Sequence, residues 1–202
     1  MRDHWGWICG WGVNPGEFRA EAEKWKPEAI HTVLLPNADA VPTLLNMQLT
    51  AIGGYSLGSL LLMKALPEFP QDLNILCLAP ILSFTKGELG GKTSATTLTK
   101  LKEKLILDPQ SAYRIFHRLS GITPSFAQTI PTDSTDNLAW GLDQLSEVYL
   151  SPKNKKLRLV SIVVGSNDRL LDYKKLICCF KNARLTDSSH CFRSLFKSLQ
   201  TE

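Results

Sequence analysis

The chain has 202 residues, of which 44% are hydrophobic and 21% charged, close to the average for globular proteins. This length fits one domain with a sizeable core and leaves little room for a second domain. There is no N-terminal signal pattern, and the apolar runs are too short to span a membrane. Five cysteines without metal-ligand spacing predict free thiols and no metal site. We therefore expect a cytoplasmic, monomeric protein without a membrane partner.

The net charge of +4 is unevenly distributed along the chain. Residues 83–119 carry seven basic and three acidic side chains, and residues 151–202 carry eleven basic and four acidic side chains. Such stretches usually form solvated faces, and the alternative is contact with an acidic partner. Nucleic acid is disfavoured as that partner, because the basic stretches lack binding motifs and stacking aromatic residues.

The first 82 residues alternate strand-like apolar runs with helical patterns. A proline–glycine pair at residues 15–16 precedes an amphipathic helix, and residues 37–47 predict a short helix or loop. Residues 59–66 have the composition of a buried helix. Strands are expected at 4–9, 31–36, 48–54 and 73–80.

From residue 82 to about residue 150 the sequence changes to helical patterns and polar loops, most clearly at 98–121 and 136–150. Alternation then resumes, with strands expected at 157–168 and 183–190 and helices at 173–182 and 191–200. Alternating strands and helices predict an α/β fold, with a mostly parallel sheet covered by helices on both faces. We interpret residues 1–82 and 151–202 as the core and residues 83–150 as a helical lid inserted into it.

One short motif, "GYSLG" at residues 54–58, lies where a strand pattern becomes a helix pattern. An abrupt strand-to-helix turn strains the residue at its apex, and glycines two positions before and after relieve the crowding. The helix amino end behind the turn favours a developing negative charge. The motif is the nucleophile elbow G-x-S-x-G, with Ser56 as the candidate nucleophile. The alternative is a glycine-rich turn without catalytic function.

A serine hydroxyl needs a base, and the base needs an orienting acid, encoded after the nucleophile in this arrangement. Among the four histidines, His190 follows the last predicted strand, where the base is expected. His4 and His31 precede Ser56 and are expected to be structural, and His117 is expected at the surface or in the lid. Asp168 directly follows the strongest C-terminal strand pattern and is the favoured acid. Asp172 and Asp187 are the alternatives.

An oxyanion hole would complete such a site with two backbone N–H groups. One is the amide of Leu57, which follows the nucleophile. The other is expected in the loop "CGWG" after the first strand, where the Trp11 amide lies between two glycines. The alternative for this loop is a tight turn with a packed indole, and both can hold together.

Together these motifs resemble the α/β-hydrolase superfamily, and most of all its pimeloyl-[acyl-carrier-protein] methyl ester esterases of biotin synthesis. The resemblance spans nearly the whole chain. It departs from the family at Cys9, where the family usually has histidine, and we expect a short lid and no first hairpin. The motifs that carry it are "GWG", "GYSLG", "YRIFHRLSG", "NLAWGLDQLSEVYL", "VVGSND" and "SSH".

The resemblance implies a serine carboxylester hydrolase without a cofactor, which removes methanol from a pimeloyl methyl ester carried on acyl carrier protein. It also implies that basic lid residues contact the acidic carrier. Arg114 and Arg118 match that stretch and lie four residues apart on one helix face, and Lys100, Lys102 and Lys104 extend the basic surface. The alternatives are a general short-acyl esterase or thioesterase, and a scaffold of this fold that only binds a ligand.

Overall fold

The computed structural model describes residues 2–121, 133–180 and 182–200. In these residues six strands form an entirely parallel sheet with the order β2-β1-β3-β4-β5-β6. This confirms the predicted α/β class and the parallel sheet. The strands are β1 (His4–Ile8), β2 (Ile30–Leu34), β3 (Ala51–Tyr55), β4 (Asn74–Leu78), β5 (Val160–Gly165) and β6 (Ala183–Thr186).

The described helices lie between or after these strands, and each parallel connection requires one such crossover. They are α1 (Pro15–Trp25), α2 (Ala40–Leu45), α3 (Leu57–Ala65), α4 (Ala95–Leu107), α5 (Pro109–Ser120), α6 (Thr135–Glu147), α7 (Tyr173–Cys179) and α8 (Phe192–Leu199). Short 3₁₀ turns occur at Leu66–Glu68, Gly87–Leu89 and Lys155–Leu159.

Both faces of the sheet are covered, as two successive residues of β1 demonstrate. The Trp7 indole packs against Phe18 of α1 and Phe196 of α8, with ring centroids 5.6 and 5.5 Å apart. A Cβ on Gly6, which faces the opposite side, would meet Leu44 of α2 at 2.7 Å. Because successive strand residues point to opposite faces, α1 and α8 cover one side of the sheet and α2 the other.

The sequence patterns located every described strand, and the differences are in the ends of elements and in the division of one helical pattern. The helical pattern at 98–121 is two helices, because Pro109 cannot continue α4 and instead begins α5. The strand expected at 157–168 begins at Val160, after a 3₁₀ turn. β3 begins at Ala51, three residues later than expected.

In the described part of the segment between β4 and β5 there are three α-helices, α4 to α6. α4 packs against both α5 and α6, and α6 also contacts α3. Residues 122–132 of the predicted insertion lie outside the described residues. In the part of the chain that is described, no helix is both long enough and apolar enough to cross a bilayer.

Candidate active site

Ser56 lies at the apex of the turn from β3 into α3 and has a strained backbone. Its φ is 53° and its ψ is −116°, a backbone conformation that residues other than glycine rarely adopt. The turn is held on both sides, because the Ser56 N–H donates to the Leu78 carbonyl of β4 and the Ser56 carbonyl accepts from the Leu60 N–H. The hydroxyl therefore leaves the sheet at the carboxyl ends of the central strands.

The two glycines of the elbow are required by close contacts. A Cβ on Gly54 would lie 2.7 Å from the backbone N and Cα of Ser59. A Cβ on Gly58 would overlap the carbonyl oxygen of Ile8, in the strand beside β3. The symmetric glycine spacing in the sequence thus reflects a turn that packs backbone against backbone on both sides of Ser56.

Ser56, His190 and Asp168 form a continuous chain of hydrogen bonds. Ser56 Oγ is 2.9 Å from His190 Nε2, and His190 Nδ1 is 2.7 Å from Asp168 Oδ2. The three residues are 2%, 1% and 3% exposed, respectively. The structure therefore brings together the three side chains that the sequence analysis selected from different parts of the chain.

The partners of His190 determine its protonation pattern. A carboxylate only accepts hydrogen bonds, so the His190 nitrogen facing Asp168 carries a hydrogen and donates a hydrogen bond to the carboxylate. The other ring nitrogen is then free to accept the hydrogen bond that the Ser56 hydroxyl donates. Chemically, this arrangement can remove a proton from the serine hydroxyl and return it to a leaving group.

The structure also separates Asp168 from the alternative acids. Asp168 Oδ1 accepts hydrogen bonds from the N–H groups of Leu170 and Leu171, which fixes the carboxylate plane. Asp187 accepts from Asn167 on an exposed turn, and Asp172 caps α7 by accepting from the Lys174 N–H. Neither alternative is the described partner of His190.

The loop that carries His190 is held by groups that the sequence analysis did not identify. Tyr55 Oη donates a 2.6 Å hydrogen bond to the His190 carbonyl. A Cβ on Gly165 would overlap the Ser188 carbonyl, so the end of β5 approaches this loop closely. Both residues lie within quoted motifs, "GYSLG" and "VVGSND", but their contacts join distant parts of the chain, and no local pattern could have revealed them.

The loop after β1 reaches Ser56 from the other side. A Cβ on Gly10 would lie 3.3 Å from the Ser56 Cβ, and Gly12 turns the chain with a φ of 66°. The Trp11 indole is buried and donates a 2.7 Å hydrogen bond to the Leu138 carbonyl of α6. Leu57 is the first residue of α3, where an N–H group has no partner within the helix. The loop and the first turn of α3 therefore meet beside Ser56.

Cys9, at the start of this loop, is a buried neutral thiol. Burial raises the pKa of Cys9, and its Sγ lies 3.7 Å from the Val13 carbonyl. Since the thiolate is the reactive form of cysteine, Cys9 has the character of a packing residue rather than a nucleophile.

Two of the remaining histidines have structural contacts, and the third lies in the insertion but not at its surface. His31 Nδ1 accepts from the Trp7 indole N–H at 3.1 Å, and His4 Nε2 lies 2.9 Å from Thr32 Oγ1. His117 was expected at the surface or in the lid; it lies on α5 of the insertion but is buried. The surface expectation is wrong because His117 belongs to the apolar face of α5, together with Tyr113 and Phe116.

The basic side chains selected in the insertion differ in whether they form ion pairs. Arg114, Arg118 and Lys100 are exposed. Lys104 is 3.6 Å from Asp108, and Lys102 lies 2.7 Å from Asp143. The two arginines on α5 and Lys100 therefore form the part of the predicted basic surface that carries no described ion pair.

Comparison with solved structures identifies this architecture. An esterase (EaEST) from Exiguobacterium antarcticum matches 100% of the chain and 94% of its own length, with a TM-score of 0.74 and 14% identity. The chain has the α/β-hydrolase fold. BioG from Haemophilus influenzae matches with a TM-score of 0.64 and 14% identity, over 98% of this chain and 92% of its own length. The thioesterase RedJ from Streptomyces coelicolor matches with a TM-score of 0.61 and 12% identity, over 98% of this chain and 89% of its own length. No family model matches the sequence, and no curated protein matches it.

Within the α/β-hydrolase fold, Ser56 occupies the turn after the third strand of the chain and His190 the loop after the last described strand. Polar residues at the carboxyl ends of parallel strands are where ligands bind in open α/β sheets. The identities to these structures are too low to carry a substrate across, because one fold hosts many reactions. The chemistry must be argued from the residues themselves.

Proposed function

We propose that this protein is a serine carboxylester hydrolase with Ser56 as nucleophile, His190 as general base and acid, and Asp168 as the group that orients His190. The observation that supports this most directly is the unbroken chain of hydrogen bonds from Ser56 Oγ through the imidazole to Asp168. Strain at Ser56 gives a second reason, because proteins keep such conformations where the surrounding structure and function require them.

In the proposed reaction, Ser56 Oγ attacks the ester carbonyl carbon while His190 Nε2 accepts the serine proton. The carbonyl oxygen becomes an oxyanion, which the backbone N–H groups of Trp11 and Leu57 stabilise. As the tetrahedral intermediate collapses, His190 gives the proton to the leaving alcohol and an acyl-serine remains. Water then repeats the sequence with the same base and releases the carboxylic acid.

The finer proposal is that the ester is the methyl ester of a pimeloyl group carried on acyl carrier protein. Its support is the set of family-like motifs in the sequence, especially "YRIFHRLSG" and "NLAWGLDQLSEVYL". We propose that residues 83–150 act as the lid and dock the acidic carrier through Arg114 and Arg118. Ile115 and Leu119 are exposed beside these arginines, which gives the outer side of α5 both charge and apolar area. Lys100 and Lys104 of α4 would extend this surface.

The second candidate is a general short-acyl esterase or thioesterase, since the same three side chains would serve any acyl group. A binding protein that has lost catalysis is the third, and it is disfavoured because mere binding requires no connected serine, histidine and aspartate. Charge reversal separates the first two. The double variant Arg114→Glu/Arg118→Glu should lose at least about tenfold in kcat/KM on the carrier-linked ester and keep its rate on a small nitrophenyl ester.

Ionic strength and growth rescue give independent tests of the carrier. Exposed charges are screened beyond about 10 Å at 0.1 M salt, so salt should weaken turnover of the carrier-linked ester selectively. The gene for the wild type should restore growth of a biotin-requiring esterase-deletion strain, and Ser56→Ala should not. Equal salt response of both esters, or rescue by both proteins or by neither, would contradict the carrier-linked substrate.

A further inference from the structure

Among the residues that the structure describes, two buried polar atoms on α5 have no hydrogen-bond partner: Tyr113 Oη and His117 Nδ1. Tyr113 is 5% exposed and His117 is 8% exposed. Residues four apart on a helix lie on the same face, and the two rings are 6.3 Å apart. Buried polar groups are normally satisfied, so a pair of unsatisfied groups on one helix face requires an explanation.

This pair lies on a helix that extends from one loop of the active site to another. The Tyr113 ring is 5.5 Å from that of Trp11, and a Cβ on Gly12 would lie 2.9 Å from Tyr113 Cε1. At the other end of α5, a Cβ on Gly121 would lie 4.0 Å from the Cβ of Ser189, the neighbour of His190. Tyr113 and His117 thus belong to the helix that connects the loops on both sides of Ser56.

The hydrogen-bonding character of the two atoms follows from their surroundings. Burial raises the pKa of Tyr113, so its phenol keeps its proton and can donate. Burial lowers the pKa of His117 and so favours the neutral imidazole, while the Gly12 backbone acts against that shift. In a neutral imidazole one ring nitrogen can accept a hydrogen bond, and Nδ1, which has no described partner, is available for that role.

The charges around the pair disfavour an anionic ligand. Asp133 contributes to the raised pKa of Tyr113, and Glu17 of α1 acts on His117 in the direction that favours its protonation. Both are acidic, with Glu17 paired to Arg193 at 3.0 Å, and the rings that pack nearby, Trp11 and Phe116, are apolar. A group that satisfies one donor and one acceptor here is therefore an uncharged one that itself donates and accepts, namely an amide or a hydroxyl.

We propose that Tyr113 Oη and His117 Nδ1 form a specificity subsite that binds a neutral amide or hydroxyl of the ester substrate. This inference rests on the proposed ester hydrolysis. In a small ester the group belongs to the acyl chain itself; in a carrier-linked ester it belongs to the linker beyond the hydrocarbon. A purely hydrocarbon substrate leaves both buried atoms unpaired and is discriminated against for that reason.

A series of 4-nitrophenyl esters tests the subsite. Each ester carries a secondary amide at a different distance from the reacting carbonyl and is compared with an alkyl ester of equal length. The wild type should prefer one amide position over its alkyl counterpart by about tenfold in kcat/KM, a size consistent with two neutral hydrogen bonds. A preference at short spacing assigns the group to the acyl chain, and one at long spacing assigns it to the linker.

Two variants and a control show whether the pair is responsible. Tyr113→Phe and His117→Gln should each reduce this preference, the ratio of kcat/KM for the amide ester to kcat/KM for the alkyl ester, by at least about threefold. Glutamine removes the Nδ1 acceptor and keeps a polar side chain, and it provides the test if Tyr113→Phe does not fold. The control is Tyr149→Phe, which removes a hydroxyl from an exposed tyrosine and should change kcat/KM on neither the amide ester nor the alkyl ester.

The remaining outcomes overturn the subsite or the reaction separately. If the wild type treats amide and alkyl esters alike, a trapped water satisfies the two atoms and the subsite is wrong. If both variants lose activity equally on all esters, the pair has only a structural role. If no ester is hydrolysed and Ser56 does not react with a fluorophosphonate, the proposed hydrolysis itself fails and the subsite fails with it.

Discussion

Tyr55, the residue before the candidate nucleophile, donates a 2.6 Å hydrogen bond to the backbone carbonyl of His190, the candidate base. The two rings are also 5.5 Å apart. The elbow therefore presents Ser56, and the side chain of the preceding residue, Tyr55, fixes the loop that carries His190. Burial raises the pKa of Tyr55 well above its usual range, so the phenol keeps the proton that this bond requires.

Replacing Tyr55 by phenylalanine should lower both stability and turnover. The His190 carbonyl would lose its donor inside the protein, which costs about 1–3 kcal/mol in the free energy of unfolding. Because the imidazole would be held less firmly, kcat should fall by about tenfold with little change in KM. Urea denaturation and steady-state kinetics measure the two effects. Wild-type kcat in a folded Tyr55→Phe variant would contradict the positioning role.

Asp168→Asn should remove most of the activity and leave the fold intact. The asparagine retains an oxygen for the Leu170 and Leu171 N–H groups, but it no longer selects the His190 tautomer with a proton on Nδ1. A loss of about 10³- to 10⁴-fold in kcat is expected for such a change in a serine–histidine–aspartate site. Asp187→Asn is the matched control and should retain wild-type kcat. Comparable losses in both variants would mean that Asp168 is not the orienting acid.

Glycine at position 58 should be indispensable for stability. Gly58→Ala would place a Cβ on the Ile8 carbonyl oxygen, and neither backbone can move without shifting β1. A loss of about 1–3 kcal/mol or more in the free energy of unfolding is expected. Gly87→Ala is the control, because a Cβ there meets nothing within 4 Å. Urea denaturation of both variants gives the comparison, and equal stability would contradict the close packing of the elbow.

Stability should fall as the pH drops below about 6.5, in part because of His31. Burial is the largest cause of the lowered pKa of His31, and the Trp7 N–H, which can only donate, faces His31 Nδ1. The unfolded chain therefore binds a proton that the folded protein excludes, so stability is present above the unfolded pKa and lost below it. The slope from this residue is at most about 1.4 kcal/mol per pH unit. His31→Asn should flatten the pH dependence of urea denaturation between pH 7.5 and 5.5, and an unchanged slope would exclude His31 as its source.

Local geometry explains why much of this site could be predicted from sequence. Gly54 and Gly58 restrict the turn so tightly that their spacing is visible in the sequence, and parallel strands bring residues from distant segments to the same edge of the sheet. Asp168 and His190 follow strands, so their meeting with Ser56 could be expected from topology alone.

Side-chain contacts across the fold could not be predicted in this way. The hydrogen bond from Tyr55 to the His190 carbonyl joins residues 135 positions apart, and no local pattern specifies it. The burial of His117 could in principle be predicted from the sequence, because Tyr113, Phe116 and His117 share one helix face. Which loop that face would cover depended on how α5 packs against the rest of the protein.

The central claim is that the Ser56 hydroxyl is an activated nucleophile, and covalent labelling followed by peptide mass spectrometry tests it most directly. Folded wild-type protein treated with a fluorophosphonate should carry one adduct, located on residue 56. Ser56→Ala should carry none, and His190→Ala should react at least about 10³-fold more slowly. An unlabelled wild type, or an adduct that persists in Ser56→Ala, would contradict the account.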